Sequence, residues 1–299
     1  MGRPELTPVE CGRVVTRLLS WYDANARDLP WRRAEVTPWQ VMVSEFMLQQ
    51  TPVSRVREPW EAWISRWPSP AALAAAPAGE AVRAWGRLGY PRRALRLHQA
   101  ARMITADHGG QVPDRREDLL RLPGVGSYTA AAILAFGYGQ RQVVLDTNVR
   151  RVLARIAGGA ASPVGSTSVA EVVRAEQFVP RETARAARWA VASMEFGALV
   201  CMARSPRCAE CPVAAVCRWR LAGFPDQLER PRPAQHYHGT DRQCRGALLA
   251  VLRSVDAGVP LAALDASWAD ASQRERALTS LVADGLAVRL ANGSYALPP

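Results

Sequence analysis

Residues Leu122 to Gly139 read LPGVGSYTAAAILAFGYG. A turn with two glycines, Gly124 and Gly126, leads into a run of small and apolar residues from Ser127 to Phe136 that predicts a helix. Upstream, Pro113-Asp114 predicts the start of another helix, which ends in the turn. The segment therefore reads as helix, tight hairpin, helix. Glycine lets the backbone approach another surface closely, and the N–H groups at the start of the second helix can receive a phosphate oxygen. Gly124 and Gly126 are candidate phosphate contacts on this ground, although a plain helix–helix turn would use the same residues.

Outward from this hairpin, helical patterns dominate and an all-α fold is expected. Val9 to Ala24 predicts a helix, followed by the aromatic turn RDLPWR (Arg27 to Arg32). Thr37-Pro38 is a good N-cap and first-turn pair and opens a helix through Gln50, and Pro52 begins the next. Alanine-rich helices fill residues 70–108, separated by Pro77 and Gly89. Val149, Val152, Leu153 and Ile156 share one helical face after Asp146, and Val169–Phe178 and Ala184–Phe196 are two more helices. ERPRPAQHYHG (Glu229 to Gly239) reads as a linker. Two or three short helices (Arg242–Ser254, roughly Leu261–Trp268, Ser272–Asp284) then precede VRLANGSYAL, where Asn292-Gly293 signals a hairpin. That is the element order of a winged helix.

The chain has 299 residues, 48% hydrophobic and 22% charged, which fits about two globular domains and excludes a disordered or collagen-like chain. The longest apolar run, Ala130 to Phe136, falls far short of the ~18–20 residues of a membrane span. The first residues have no apolar signal-peptide core, so no membrane partner and a cytoplasmic location are expected. Net charge is +11, and with no lysine in the chain all 38 basic residues are arginine, against 27 acids. Residues 240–299 are balanced, six against six, so the first 239 carry the excess. A basic body points to a polyanion, most often nucleic acid. The uncharged tail reads equally as a packing appendage or a DNA-binding module. Without lysine, no side chain can form a Schiff base.

Four of the six cysteines, Cys201, Cys208, Cys211 and Cys217, lie in one 17-residue segment spaced C-x6-C-x2-C-x5-C. A disulfide framework does not suit a chain of this kind. Zinc sites usually show two paired CxxC knuckles; one CxxC with uneven flanks fits a 4Fe-4S cluster as well or better. Arg204, Arg207, Arg218 and Arg220 surround these cysteines and are candidate phosphate contacts. Two carboxylates also stand out. In VMVSEFMLQQT, Glu45 shares a helix face with Val41, Met42 and Leu48, and apolar surroundings favour the protonated form a general acid needs. In VVLDTNVRR, Asp146 sits at a helix start, where the dipole favours the ionised form. One protonated and one ionised carboxyl group is the arrangement that glycosidic bond cleavage uses. A buried ion pair for Glu45 and a simple N-cap for Asp146 are the structural alternatives.

The order of LPGVG, a helix-starting Asp and the four-cysteine segment resembles the endonuclease III superfamily of DNA glycosylases. Within it, DLPWR, VSEFMLQQT, LGYPRRALRLHQAA, LPGVGSYTAAAILAFGYG, LDTNVRRVLAR and MEFGALVC resemble the MutY adenine glycosylases, over about residues 10–225. The resemblance implies a two-lobed helix-hairpin-helix enzyme with a 4Fe-4S cluster on the four cysteines, which removes adenine mispaired with 8-oxoguanine or guanine from double-stranded DNA. It implies domains at 1–36 with 147–228 (cluster), 37–146 (six helices and the hairpin), 229–239 (linker) and 240–299 (winged-helix-like tail), and a monomer associated with the nucleoid.

By position, Glu45 matches the acid that protonates adenine, and Asp146 the carboxylate that stabilises the cationic sugar, with Asn148 in support. Tyr128 stands where strand-cleaving relatives carry lysine. Trp31, Arg32 and Glu195 match positions that hold the flipped base, Gln50 the wedge in the base stack with Gln49 beside it, and Leu88 and Tyr90 the loop that probes the opposite base. Asp146-Thr147-Asn148 departs from the DGN common in the family, and Leu88-Gly89-Tyr90-Pro91 from LGYY. Residues 218–299 read as helices and one hairpin, unlike the Nudix-like 8-oxoguanine reader of many members. Discrimination is therefore expected mainly from the Leu88–Tyr90 loop. The rivals are a thymine or oxidised-pyrimidine glycosylase of the same superfamily and a non-catalytic iron–sulfur DNA-binding protein.

Overall fold

Thr7 and Glu10 form a capping box at the start of the first long helix, Pro8–Asn25: the Thr7 hydroxyl accepts from the Glu10 N–H, and the Glu10 carboxylate accepts from the Thr7 N–H at 2.8 Å. Ser168 and Glu171 repeat the device at helix Val169–Glu176. The computed structural model describes residues 6–225 and 237–299, which divide into two units. One holds the chain up to Val41, Asp114–Leu120 and the residues from Val125 to the end of the first described segment; the other holds Met42–Pro113, Arg121–Gly124 and the tail.

In the first unit, helices Pro8–Asn25, Ser127–Tyr138, Thr147–Leu153, Val169–Glu176, Thr183–Leu199 and the short Arg218–Leu221 enclose a core that includes Val14, Leu18, Val152, Ile156 and Phe196. Trp189 stacks on Phe178, and Trp21 meets Phe196 edge-on with centroids 5.3 Å apart. Helix Ser127–Tyr138 belongs to this unit because Ala131, Ala132 and Ala135 pack with Val144 and Ala190. After Leu153 the helix widens into a π turn, Ala154–Gly158, which resets the side-chain phase and leaves Arg155 only 1% exposed.

In the second unit, the expected alanine-rich stretch forms helices Pro70–Ala74, Ala78–Trp85 and Arg92–Asp107, preceded by Arg57–Arg66. Trp63 packs edge-on against Trp67 and Trp85 at 4.7 and 5.7 Å. Helix Pro38–Leu48 stops two residues earlier than the sequence suggests, because Gln50 has φ +55°. Pro52 leads only into a 3-10 turn, Val53–Arg55.

The tail has the expected order: helices Asp241–Arg253, Leu261–Asp265 and Ala271–Ala283, then antiparallel strands Val288–Arg289 and Tyr295–Ala296. Val259 bridges Tyr295 from the other side, a third strand position the sequence did not show. Rather than standing apart, the tail packs within the second unit. The N–H groups of Ala78 and Gly79 donate to Pro299 O and Pro298 O, at 3.1 and 2.8 Å, so the end of the chain satisfies the first turn of helix Ala78–Trp85. At its other end Arg253 donates to Val82 O and Gly86 O, at 2.9 and 2.6 Å. The expected linker 229–239 lies mostly outside the described residues. Among the described residues no helix is long and apolar enough to cross a membrane.

Helices Thr147–Leu153 and Thr183–Leu199 touch at Gly197, where an added Cβ would lie 2.8 Å from Asn148 Cβ and 3.0 Å from Asn148 O. Gly197→Ala should therefore part these helices and cost about 1–3 kcal/mol. The check is urea unfolding, where the midpoint should fall at unchanged m-value.

Candidate active site and cluster loop

The cysteine loop starts where helix Thr183–Leu199 ends. Its last turn closes through the N–H groups of Val200 and Cys201 on Phe196 O, both at 2.9 Å. Cys217 then serves as N-cap of Arg218–Leu221. All four thiols line one cavity, together with Ile156, Phe196 and Trp219. Burial pushes the thiols of Cys201, Cys211 and Cys217 upward, Cys211 to about 12, and the neighbouring thiols add to the shift. Such a group is stable as thiolates only when a cation takes the place of the protons.

Among the described residues no three His, Cys, Asp or Glu side chains come close enough to share a single metal ion. Sulfurs bound to one zinc would converge to ~2.3 Å from a common centre. Four thiols around one cavity supply the ligand set that a 4Fe-4S cluster takes. Arg155 closes the back of this cavity. It donates to Met202 O (2.7 Å), Ala203 O (3.1 Å), Ala161 O (2.8 Å) and the Cys201 sulfur (3.5 Å), with its guanidinium over the Trp219 ring.

Asp146 is the N-cap of helix Thr147–Leu153, as its position suggests. One oxygen accepts from the Val149 N–H at 2.6 Å and the other from Asn148 Nδ2 at 2.7 Å. The Asn148 carbonyl in turn accepts from Arg151 Nη2 at 2.7 Å. Arg151 also donates to Gly197 O at 2.7 Å and, through Nε, to Cys201 O at 2.8 Å. A continuous hydrogen-bonded chain therefore joins the Asp146 carboxylate to the main chain of a cluster cysteine. The expected preference of Asp146 for the ionised form is only part of its balance. Burial pushes its carboxyl above the ordinary range, outweighing the hydrogen bonds from Val149 and Asn148 and the Arg151 charge. Tyr128 is half-buried in the same unit, its hydroxyl 3.7 Å from Met194 Sδ.

Glu195, on helix Thr183–Leu199, is fully buried and held by two arginines. Arg27 donates through Nε and Nη2 at 2.6 and 2.7 Å and through its N–H at 3.2 Å; Arg32 Nη2 donates at 3.0 Å. Although burial opposes ionisation, these partners hold its carboxyl down at about 2. Arg32 Nη1 is buried and unpartnered, leaving a donor for a ligand beside buried Trp31.

The second unit carries the remaining positions. Glu45 is 5% exposed, between fully buried Met42 and Phe46 in sequence. Gln49 is half-buried and Gln50 exposed. Arg93, a buried residue whose guanidinium is drawn down to about 10 by desolvation, donates to Phe46 O (3.0 Å), Gln49 O, Thr51 Oγ1 (3.2 Å) and Gly89 O (3.1 Å). It thereby ties the Gln49–Gln50 turn to the Gly89–Tyr90 turn. Tyr90 is 50% exposed, whereas Leu88 is 4% exposed, so of the two probing positions only Tyr90 presents its side chain. Gly124 has φ +86°, and a Cβ there would meet Phe46 Cε1 at 2.7 Å. Gly126, in the first unit, is exposed, at the N-cap of Ser127–Tyr138 without a side-chain cap. Sequence reading did not single out Arg27, Arg93, Arg151 or Arg155. Their only signal is proximity to the motifs, which arginine as the sole basic side chain-type besides four histidines does not sharpen.

The family profile described as HhH-GPD superfamily base excision DNA repair protein matches residues 43–170, and that of the iron-sulfur binding domain of endonuclease III matches residues 201–217. The chain is 53% identical to an adenine DNA glycosylase of Mycobacterium tuberculosis H37Rv, over 95% of this chain and 93% of that protein. It is 52% identical to an adenine DNA glycosylase of Mycolicibacterium smegmatis, over 98% and 96%. The solved structure of a thermostable thymine-DNA glycosylase superposes with TM-score 0.65 at 28% identity, over 71% of this chain and 97% of that one. The cofactor is a 4Fe-4S cluster, and Cys201, Cys208, Cys211 and Cys217 are the residues that would hold it. When bound, it cross-links the loop through thiolate bonds.

The Glu195 ion pairs set a pH signature. A carboxyl held at about 2 when folded, against about 4.3 in a free glutamate, contributes stability that is complete above the unfolded value and is lost as pH falls through the folded one. The difference in Tm between wild type and Glu195→Gln should be constant above about pH 5 and close between about pH 4.3 and 2. A difference that widens on acidification would contradict the ion pairs.

Proposed function

Since the chain belongs to the adenine DNA glycosylases of the HhH-GPD superfamily, enzymes that hydrolyse the N-glycosidic bond of adenine in DNA, we propose that its substrate is duplex DNA with adenine mispaired with 8-oxoguanine or guanine. In this reading the adenine is flipped out of the stack, because its glycosidic bond is hidden in the duplex. Glu45 donates a proton to the adenine ring, the C1′–N bond breaks with its electrons leaving on the base, and Asp146 supplies the countercharge to the cationic sugar. Water adds its oxygen to C1′ and returns a proton to Glu45. Asn148, fixed by Arg151, orients Asp146. Arg32, with Trp31 and the Glu195 that anchors it, offers its spare donor to the base. Gln50, with Gln49, fills the gap left in the stack, and Tyr90 reads the opposite base. Gly124 and Gly126 bring main-chain N–H groups to the DNA phosphates. The protein works as a monomer on the nucleoid in the cytoplasm.

The observation that carries this reading is Asp146. It is a carboxylate with both oxygens hydrogen-bonded inside the fold, on a chain with no lysine for imine chemistry and Tyr128 at the matching position. Single-turnover release of adenine from A:8-oxoguanine and A:G duplexes tests it. Glu45→Gln keeps the shape but cannot supply the acidic proton, and should slow release by about 10²–10⁴-fold while mismatch binding persists; Asp146→Asn should also cripple the rate. Near-wild-type rates would refute the roles, and release of thymine instead of adenine would favour the thymine-glycosylase reading. Products should remain intact strands until hot alkali is added, and borohydride should trap no internal protein–DNA adduct.

A further inference from the structure

The turn from Gly86 to Tyr90 has three residues with positive φ, Gly86 (+53°), Gly89 (+82°) and Tyr90 (+47°). For tyrosine this is a strained conformation, which persists only where the surroundings over-determine it. Here they do: every carbonyl from residue 86 to 89 accepts from a side chain. Gly86 O takes Arg253 at 2.6 Å, Arg87 O takes Arg55, Leu88 O takes the Thr51 hydroxyl at 3.2 Å, and Gly89 O takes Arg93 at 3.1 Å and Trp85 Nε1 at 2.9 Å. The first of these donors belongs to the tail. A second tail residue reaches the side chain itself: the Arg242 guanidinium lies 5.6 Å from the Tyr90 ring centroid, and Arg93 lies 5.2 Å from the same ring. Arg242 lies 5.7 Å from the Tyr237 ring as well. Arg93, Tyr90, Arg242 and Tyr237 thus alternate cation and aromatic ring, a favourable arrangement.

This much constraint on a half-exposed aromatic side chain goes beyond what packing needs. Tyr90 is held this firmly although it is 50% exposed. We propose that Arg242 is a positioning residue for Tyr90, so that the uncharged tail acts in DNA reading by holding the phenol ring ready to stack on the base opposite the target adenine. The inference rests on the mispaired-substrate reading above and adds to it a role for residues 240–299. It keeps the Leu88–Tyr90 loop as the reader of the opposite base and gives the tail a part in positioning it.

The test measures binding by the full-length, cluster-loaded protein. The probes are duplexes with uncleavable 2′-fluoro-2′-deoxyadenosine opposite 8-oxoguanine, guanine, thymine or an abasic furan, the last offering no base to stack on. Arg242→Ala should weaken binding about tenfold wherever a purine stands opposite, within the range of base–aromatic stacking, and less than about twofold opposite the furan. Arg242→Lys, which keeps a cation over the ring, should recover affinity to within about threefold of wild type. Arg289→Ala, which removes an exposed arginine from the tail hairpin, should bind all four as wild type does. If Arg242→Ala matches wild type, or weakens all four duplexes equally as loss of a phosphate contact would, the inference is overturned. If wild type itself binds adenine opposite 8-oxoguanine, guanine and thymine equally, the mispair reading fails instead. The purine-against-furan comparison then still decides the role of Arg242.

Discussion

A guanidinium has five N–H donors and no acceptor, and once buried it must be surrounded by oxygen atoms or its desolvation is uncompensated. This requirement shapes the functional half of each unit. Arg155 gathers the carbonyls of Ala161, Met202 and Ala203 behind the cysteine loop, Arg151 those of Gly197 and Cys201, and Arg93 those of Phe46 and Gly89. Arg253 does the same for Val82 and Gly86, and desolvation draws its guanidinium down to about 10. In each case one side chain gathers carbonyls from loops or from the last turns of helices. Lysine, a single flexible ammonium, could not span the same carbonyls with a planar fork.

Arginines also set the charge of neighbouring carboxylates. Glu195 is buried and Asp146 half-buried in the first unit, and their acidities move in opposite directions. Glu195 meets two guanidinium groups directly and is held at about 2. Asp146 meets Arg151 only through Asn148, so burial prevails and its carboxyl rises. A Glu195 held ionised across the neutral range suits an anchor. A carboxylate of raised energy suits a group whose charge is to be stabilised when a cation forms beside it.

Backbone strain falls where the reading of the site needs exposed side chains. Among the described residues the non-glycine positive φ angles are those of Gln50, Tyr90 and Phe224. The first two belong to turns that Arg93 ties together, which links a buried cation to the presentation of two side chains at the surface.

Much of this protein was legible without coordinates. Helix periodicity, the caps at Thr37-Pro38 and Asp146, the Asn292-Gly293 hairpin, the glycine turn at Leu122–Gly126 and the spacing of Cys201, Cys208, Cys211 and Cys217 are local patterns, and local patterns follow from short-range sterics and hydrogen bonding. They determine the all-α class, the winged-helix order of the tail and the candidate residues Glu45 and Asp146, whereas Glu195 is marked only by the family resemblance. Only the tertiary structure decided which arginine serves which loop, that Leu88 turns inward while Tyr90 stays exposed, that burial lifts Asp146, and that the tail caps helix Ala78–Trp85. These depend on partners far apart in the chain, such as Arg27 with Glu195 or Arg253 with Val82. In a chain where nearly every cation is the same side chain, no residue type marks which of them will be buried. Long-range packing makes that choice.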